Sequence, residues 1–339
     1  MAIKVSPLFV GGKWVDGQAE SKFEVLNPAT SRPIAVLPDG GPDLARTAVE
    51  AAAQAFPGWA ALTALERSAI LLKTRDILLD RIDVLARLIT EENGKPVAEA
   101  RGEVAFAIHY LQWFAEEARR VYGEIVPPPV PHKRLWVIHQ PMGVVAAITP
   151  WNFPATMVLR KIAPALAAGC TVVLKPAKET PLTALEIARA FVEAGLPAGV
   201  FNVVVGKRAA PIAEVFLNDG RVRKIAFTGS TEVGKLLMAA AARQLKRVAF
   251  ELGGNAPFIV FDDADLDRAV ANAVAIKYLR VGGQSCICAN RVYVQRPLAD
   301  PFLRKFTEAV RAIKVGPGSE PGMQVGPLIN AETFEKVDR

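Results

Sequence analysis

Val144-Val145-Ala146-Ala147-Ile148-Thr149 runs directly into Pro150-Trp151-Asn152-Phe153-Pro154, and this stretch decides the fold. Its first half is an uninterrupted apolar run with the β-branched composition of a buried strand. Its second half is a turn bounded by two prolines, the later of which suits the start of a helix. The stretch therefore predicts a strand, a turn that carries Asn152, and a helix that continues to about residue 168.

The same alternation of strand and helix continues in the C-terminal direction. Further strands are predicted at 171–175, 201–205, 224–227 and 248–251, with helices between them. Such a βαβα succession predicts a Rossmann-type α/β fold, a parallel sheet covered by helices on both faces. Ligands of open parallel sheets bind beyond the carboxyl ends of the strands. The polar residues expected at these ends are Asn152, Lys175, Gly229, Ser230 and Glu251.

The flanking segments have a different organisation. Residues 41–122 have helical periodicity, and the proline-rich segment 127–131 cannot be helical and predicts a linker. A second α/β unit begins near residue 257 and includes a predicted helix at 266–279 and a strand at 291–295. The whole chain is thus expected to form one large α/β sheet with a smaller α/β unit after it.

Composition excludes several classes of protein. The 339 residues are 51% apolar and carry a formal charge of +7, but the basic residues are scattered and not interleaved with aromatic residues, so no nucleic-acid partner is expected. No apolar run is long enough to cross a membrane, and the N-terminal segment 1–7 lacks the apolar region and cleavage site of a secretory signal. Three cysteines without zinc spacing predict neither a disulfide framework nor a metal site. These features favour a soluble cytoplasmic protein without a metal.

Three residues could carry chemistry, and each has a simpler structural interpretation. Cys286 follows the polar turn Gly282-Gly283-Gln284-Ser285, which can present a nucleophilic thiol, although many intracellular cysteines only fill space. Glu251 could be a general base or half of an ion pair. Asn152 could donate to an oxyanion or cap the helix that follows it.

A possible anion site lies at Phe227-Thr228-Gly229-Ser230-Thr231-Glu232-Val233-Gly234. This stretch is not the GxGxxG dinucleotide fingerprint, but it aims the amides of a helix N-terminus at any anion placed there. Lys175 and Lys178 could reach a ribose or a phosphate, or they could be surface charges.

Taken together, these motifs resemble the aldehyde dehydrogenase superfamily. The matching motifs, in order, are Thr149-Pro150-Trp151-Asn152-Phe153-Pro154, Lys175-Pro176-Ala177, Phe227-Thr228-Gly229-Ser230, Glu251-Leu252-Gly253-Gly254 and Gly283-Gln284-Ser285-Cys286. The resemblance implies that Cys286 attacks an aldehyde, that Asn152 stabilises the oxyanion, and that Glu251 activates the hydrolytic water. It also implies that NADP or NAD is bound by Trp151, Lys175, Pro176, Ala177, Lys178, Gly229, Ser230 and Gly234.

Within the superfamily the chain most resembles the succinate-semialdehyde dehydrogenases. Arg160 and Arg280 match positions that bind the distal carboxylate of the substrate, and guanidinium groups suit that task. Pairing of these arginines with protein carboxylates is the alternative. Glutarate semialdehyde is a possible substrate too, because one methylene is worth only about 1–3 kcal/mol of discrimination. Lys178 replaces the Glu of NAD-preferring members, and Val281 replaces a common Asn.

The resemblance also implies a domain division and an oligomer. Residues 1–127 and 149–253 are expected to form the NAD(P)-binding domain, 128–148 a linker and hairpin of the oligomerisation region, and 254–339 an incomplete catalytic thiol domain. Members of the family continue beyond the point that matches residue 339, with a Glu-x-Phe-Gly-Pro motif, and a homo-oligomer is expected of a full-length relative. A Cys-dependent acyltransferase or hydrolase, and an inactive relative that only binds nucleotide, are the two rival functions.

Overall fold

The fold was analysed in a computed structural model that describes residues 4–16 and 21–338. Within these residues, the strands are β1 (Lys4–Val5), β2 (Leu8–Val10), β3 (Lys13–Val15), β4 (Lys22–Leu26), β5 (Pro33–Pro38), β6 (Glu124–Val126), β7 (Leu135–Val137), β8 (Val144–Ile148), β9 (Thr171–Lys175), β10 (Phe201–Val203), β11 (Val222–Gly229), β12 (Arg247–Leu252), β13 (Ala256–Val260) and β14 (Ala289–Val294).

The helices alternate with these strands from β8 to β12, as the sequence predicts. They are α1 (Gly41–Ala61), α2 (Ala64–Asp80), α3 (Ile82–Asn93), α4 (Val97–Glu117), α5 (Pro154–Ala167), α6 (Leu182–Ala194), α7 (Ala209–Asn218), α8 (Thr231–Ala242), α9 (Leu266–Tyr278), α10 (Arg296–Arg311) and α11 (Ala331–Asp338). Single turns of 3-10 helix occur at Ala118–Arg120 and Val281–Gly283. Throughout the described parts of the chain, every helix is too short or too polar to span a membrane.

The central sheet has seven strands in the order β12-β11-β8-β9-β10-β2-β3. Strands β8 to β12 are mutually parallel, which confirms the predicted Rossmann-type α/β fold, and the β2–β3 hairpin adds two antiparallel strands at one edge. After β8 the chain builds outward through β9 and β10, then returns to place β11 on the other side of β8. This reversal between β8 and β11 creates a crevice at their carboxyl ends, the usual ligand position in such sheets.

Helices cover both faces of this sheet because its strand residues alternate in direction. In β8, Val145 and Ala147 pack into a cluster with α2 to α6, whereas Val144, Ala146 and Ile148 pack into a second cluster with α1, α7 and α8. All five residues of β8 are buried. The rigid centre of the sheet therefore ends at the turn that carries Asn152.

A smaller unit follows the sheet. Strands β13 and β14 pair in parallel, and α9 and α10 pack on them around a core of Val260, Val270, Ala273, Val274 and Phe302. Cys286 lies in the connection between α9 and β14. The predicted second α/β unit is therefore present.

The observed strands differ from the expected segment 128–148 at both of its ends. β8 lies within the expected 128–148 linker and hairpin segment, but it is an interior strand of the central sheet, between β11 and β9. The hairpin begins earlier than expected, because β6 at Glu124–Val126 pairs with β7. Pro164 lies inside α5, in its last turn. The division of the chain into domains otherwise stays a prediction.

Candidate active site

The turn after β8 places Asn152 at the start of α5. The Asn152 side-chain amide donates to the backbone carbonyl of Gln284 at 3.1 Å, across 132 residues of sequence. Its carbonyl oxygen Oδ1 is buried and has no hydrogen-bond partner among the described residues. Buried polar atoms are nearly always paired, and an exception commonly marks a functional position. Asn152 does not cap α5, because the N-cap position of that helix is Phe153 and its side chain makes no capping hydrogen bond.

Cys286 lies two residues beyond Gln284 and is half-buried. The turn before it needs glycine: Gly283 has φ of 82°, and a Cβ there would lie 2.8 Å from the carbonyl oxygen of Lys277. Asn152 is therefore tied to the segment that carries Cys286 through the backbone of Gln284. Sequence reasoning did not assign a role to Gln284.

A cavity of about 540 Å³ opens at Cys286. Both predicted substrate arginines, Arg160 and Arg280, line it, and Phe153, Met157 and Tyr110 supply an apolar wall. A ligand pocket with mostly apolar walls and few directed polar groups is typical of a small-molecule site. No histidine lines the cavity, so the base that a Cys–His hydrolase needs is not among its residues.

Glu251 is the penultimate residue of β12 and lines a neighbouring cavity of about 320 Å³. Arg160 lines both cavities, and its Nη2 donates to Glu251 Oε1 at 2.7 Å. The structure thus brings the predicted base and one predicted substrate-binding residue into direct contact. Lys161 lines the Glu251 cavity as well, and burial lowers its pKa to about 8 although the Glu251 charge opposes this shift.

Glu99 ties the Cys286 segment to α4. Its Oε1 accepts from the backbone N–H of Val281 at 2.8 Å. Burial raises the pKa of the Glu99 carboxyl, and the charge of Lys95 opposes that change. Glu99 was not among the predicted site residues.

The predicted nucleotide residues lie at the carboxyl ends of neighbouring strands. Lys175 ends β9, where it is buried and burial lowers its pKa, while its carbonyl accepts from the backbone N–H of Thr149 at 3.1 Å. Trp151 follows in the adjacent turn, and Pro176 and Ala177 continue from Lys175. Lys178 is exposed beside them.

The turn from β11 into α8 fits a bound phosphate. Ser230 is the N-cap of α8 and accepts from the N–H of Val233 at 3.2 Å. Gly234 lets the helix approach β12, since a Cβ there would lie 2.6 Å from a methyl group of Leu252. The Thr228 hydroxyl, at the end of β11, is buried without a partner among the described residues. Free amides at a helix N-terminus and an unpaired donor are what a dinucleotide phosphate and ribose require.

In residues 4–16 and 21–338 no group of three or more His, Cys, Asp or Glu side chains is arranged to hold a metal ion. The groups that could do chemistry are a thiol, an amide, a carboxylate and two guanidinium groups, near the carboxyl edge of the parallel sheet. This set matches nucleophilic chemistry combined with a bound cofactor.

Comparison with known proteins agrees with an enzyme that combines a nucleophile with a bound cofactor. Residues 14–339 match the sequence pattern of the Aldehyde dehydrogenase family. The chain is 51% identical over 329 residues to the glutarate-semialdehyde dehydrogenase of Pseudomonas putida, and 50% identical over 329 residues to the NADP+-dependent succinate-semialdehyde dehydrogenase of Escherichia coli. Each alignment covers 97% of this chain and 68% of the relative.

The fold has close counterparts among solved structures as well. The crystal structure of succinate-semialdehyde dehydrogenase from Burkholderia pseudomallei superposes with a TM-score of 0.96 at 48% identity, covering 98% of this chain and 69% of that one. The protein therefore belongs to the aldehyde dehydrogenase family. The chain spans about two thirds of the length of the relatives it matches.

Proposed function

We propose that this protein oxidises a short aldehyde with a distal carboxylate, such as succinic or glutaric semialdehyde, to the dicarboxylic acid. NADP+ or NAD+, when bound, accepts the hydride. The observation that carries the proposal is that the cavity at Cys286 is also lined by Arg160 and Arg280. The Pseudomonas putida and Escherichia coli relatives described above are named for these same two substrates.

Cys286 is proposed as the nucleophile. Its thiolate adds to the aldehyde carbon, and the carbonyl oxygen becomes an oxyanion. The Asn152 side chain, which now donates to Gln284, and the Cys286 backbone N–H would stabilise that charge. Loss of hydride from the thiohemiacetal leaves a thioester on the Cys286 sulfur.

Glu251 is proposed as the general base for hydrolysis. It would take a proton from water, whose oxygen attacks the thioester carbon; the carboxylic acid leaves and the thiol is restored. In the structure Glu251 is held by Arg160. For Glu251 to reach the thioester, its carboxylate must leave that guanidinium, and the distal carboxylate of the substrate is a suitable replacement.

The nucleotide is proposed to lie along the carboxyl edge of the sheet. The Gly229–Ser230 turn and the α8 amides would hold its phosphates, and Lys175 would reach a ribose hydroxyl. Trp151, Pro176, Ala177 and Gly234 would line the remaining crevice. Lys178 removes the repulsion that an acidic residue would exert on a 2′-phosphate, which favours tolerance of NADP+.

Self-association is proposed to occur through the β6–β7 hairpin. Ile125, Trp136 and Ile138 are 82%, 68% and 70% exposed there, an apolar surface of the kind that partner chains cover. We also propose the cytoplasm as the site of action, because the three cysteines are free and a thiol nucleophile needs a reducing compartment.

The test is turnover with matched aldehydes. Purified protein is assayed for reduced nicotinamide with succinic semialdehyde, glutaric semialdehyde and butanal, each with NADP+ and NAD+. Butanal has the carbon skeleton of succinic semialdehyde without the carboxylate. We expect kcat/KM for the semialdehydes to exceed that for butanal by at least about tenfold, the value of one charge-assisted hydrogen bond. Equal values, or no nicotinamide reduction with any aldehyde, would refute the proposal.

A further inference from the structure

The turn that carries Asn152 is held by a second turn that joins α3 to α4. Asn93 donates from its side-chain amide to the carbonyl oxygen of Trp151 at 3.0 Å. Lys95 donates from its ammonium group to the carbonyl oxygen of Asn152 at 2.7 Å. Gly94, between them, has φ of 92°, which lets both side chains point at the same loop. Two consecutive carbonyl groups beside the site are therefore fixed.

Lys95 is unusual because its charge is fully buried. Its side chain is 0% exposed and that of Glu103 is 2% exposed, with 2.5 Å between Nζ and Oε2. The ammonium group also lies 4.3 Å from the centre of the Phe153 ring. Desolvation offsets much of the attraction in a buried ion pair, so such a pair is weak evidence for a role in stability. A role in positioning the neighbouring loop is the better explanation.

Glu103 holds the other side of the same loop. Its second oxygen, Oε1, accepts from the backbone N–H groups of Ala155 at 2.9 Å and Thr156 at 3.2 Å, in the first turn of α5. The negative charge is well placed there, because the helix N-terminus carries a partial positive charge. Lys95 and Glu103 thus fix the backbone immediately before and after Phe153.

The same helix reaches the nucleophile segment. Glu99, one turn before Glu103 on α4, accepts from the N–H of Val281, five residues before Cys286. The oxyanion donor and the nucleophile are consequently anchored to one rigid element, although they lie in different units of the fold.

We propose that Lys95 and Glu103 are positioning residues of the oxyanion site: their buried pair fixes the Asn152 backbone so that its amide faces the carbonyl oxygen of an aldehyde bound at Cys286. The proposal rests on the proposed function. Neither residue touches the reacting atoms. Because reacting groups must be placed to within about 1 Å, loss of this anchor is expected to weaken the adduct while leaving the thiol itself intact.

A double variant separates positioning from stability. Lys95→Met with Glu103→Gln removes both buried charges, and the Gln carbonyl can still accept from Ala155 and Thr156. Replacement of a whole buried pair by neutral side chains is often tolerated, whereas removal of one partner is not. The matched control is Arg101→Met with Asp83→Asn, which removes an exposed ion pair between α3 and α4.

The readout is protection of Cys286 from iodoacetamide by succinic semialdehyde in the absence of cofactor. Protection measures formation of the thiohemiacetal, and the alkylation rate without aldehyde measures the thiol alone. Urea unfolding and NADP+ affinity are measured on the same samples, and kcat is measured separately.

We expect the double variant to unfold near the wild-type urea concentration. Without aldehyde, its alkylation rate should lie within about twofold of the wild-type rate. It should nevertheless need roughly tenfold to a hundredfold more aldehyde for protection, and its kcat should be lowered in proportion. NADP+ affinity and all properties of the control should stay unchanged. A folded double variant with wild-type protection and kcat would overturn the proposal.

A second variant covers the case in which the double variant does not fold. Lys95→Arg keeps the charge and the ion pair but moves the donor atoms. This variant should also lose the protection by aldehyde, at an unchanged alkylation rate without aldehyde. Full protection in the Lys95→Arg variant would overturn the positioning role. Wild-type protein that succinic semialdehyde fails to protect would instead refute the proposed function, and this proposal with it.

Discussion

Arg160 donates to Glu251 across 2.7 Å, and so joins the residue expected to hold the substrate to the residue expected to act as base. Both side chains remain accessible, with 37% and 44% of their side-chain surface exposed. A pair of this kind in contact with solvent is weak and exchangeable. An incoming carboxylate can therefore replace Glu251 on Arg160, which links substrate recognition to release of the base.

Substitution of Arg160 tests this link. In Arg160→Met, kcat/KM for succinic semialdehyde is expected to fall by roughly tenfold to a hundredfold, because a charge-assisted hydrogen bond worth about 1.5–3 kcal/mol is lost. Turnover of butanal should not fall, since butanal has no carboxylate to bind and the substitution also frees Glu251 from its ion pair. Arg280→Met should behave alike, and Arg189→Met, on α6, serves as the control. Equal losses with both aldehydes would show that Arg160 acts on structure instead.

The two neighbouring cysteines give a second test. Cys286→Ala should abolish turnover because no thioester can form, whereas Cys288→Ala should keep most of it. Cys288 is 1% exposed and its thiol contacts the carbonyl oxygen of Lys277 at 3.7 Å, so it packs away from the cavity. Steady-state assays of both variants decide the point. The reverse pattern would mean that the nucleophile has been misassigned.

We expect cofactor choice to depend on Lys178. Lys178→Glu should lower the ratio of kcat/KM for NADP+ to that for NAD+ by about tenfold or more, because a carboxylate repels a 2′-phosphate and accepts from a 2′-hydroxyl. Lys22→Glu, at an exposed position on β4, makes the same change of charge elsewhere. An unchanged ratio in Lys178→Glu would remove this residue from the cofactor site.

Lys161 predicts a specific dependence of stability on pH. Its pKa falls from 10.5 to about 8 on folding, so the folded protein binds this proton more weakly than the unfolded chain does. Between pH 8 and 10.5 the unfolded chain keeps the proton and the folded protein has lost it, so stability from this residue rises with pH. Below pH 8 the folded protein bears the full free-energy cost of burying the charged Lys161 ammonium group, about 3 kcal/mol.

Lys161→Met should therefore be more stable than the wild type near neutral pH, and its advantage should shrink as pH rises toward 10.5. Urea unfolding of both proteins at about pH 7 and about pH 9.5 measures this. Lys235→Met, at an exposed position on α8, should show no such trend. An advantage that grew with pH would contradict the assignment.

The main sheet was predictable because its signals are local. The apolar run of β8 and the regular spacing of strand and helix after it define a parallel sheet, and the rule that ligands bind at carboxyl ends then brings Asn152, Lys175, Ser230 and Glu251 to one edge. The resemblance of the motifs to those of the aldehyde dehydrogenase superfamily then predicted the role of each of these residues. The β2–β3 hairpin was not predicted, because its short strands join the sheet only through pairing with β10, far away in sequence.

The contacts that organise the site were not predictable. Lys95 and Glu103 lie in a long helical region, where charged residues normally face solvent, and nothing in their spacing indicates that both are buried. An ion pair was the alternative for Glu251 and for Arg160 separately, but their pairing with each other joins residues 91 apart in sequence. For the turn before Cys286, one signal was available in the sequence, because Val281 replaces an Asn that is common in the family. The φ of Val281 is 50°, in the left-handed region that Asn tolerates better than a β-branched residue does.

The most direct measurement is a trap of the covalent intermediate. Glu251→Gln protein is mixed with succinic semialdehyde and NADP+, quenched with acid, digested and analysed by mass spectrometry. Because hydrolysis lacks its base, we expect one equivalent of reduced nicotinamide to form and then stop, with a succinyl group on the Cys286 peptide. Steady turnover without that adduct, or an adduct on Cys288 in its place, would contradict the account.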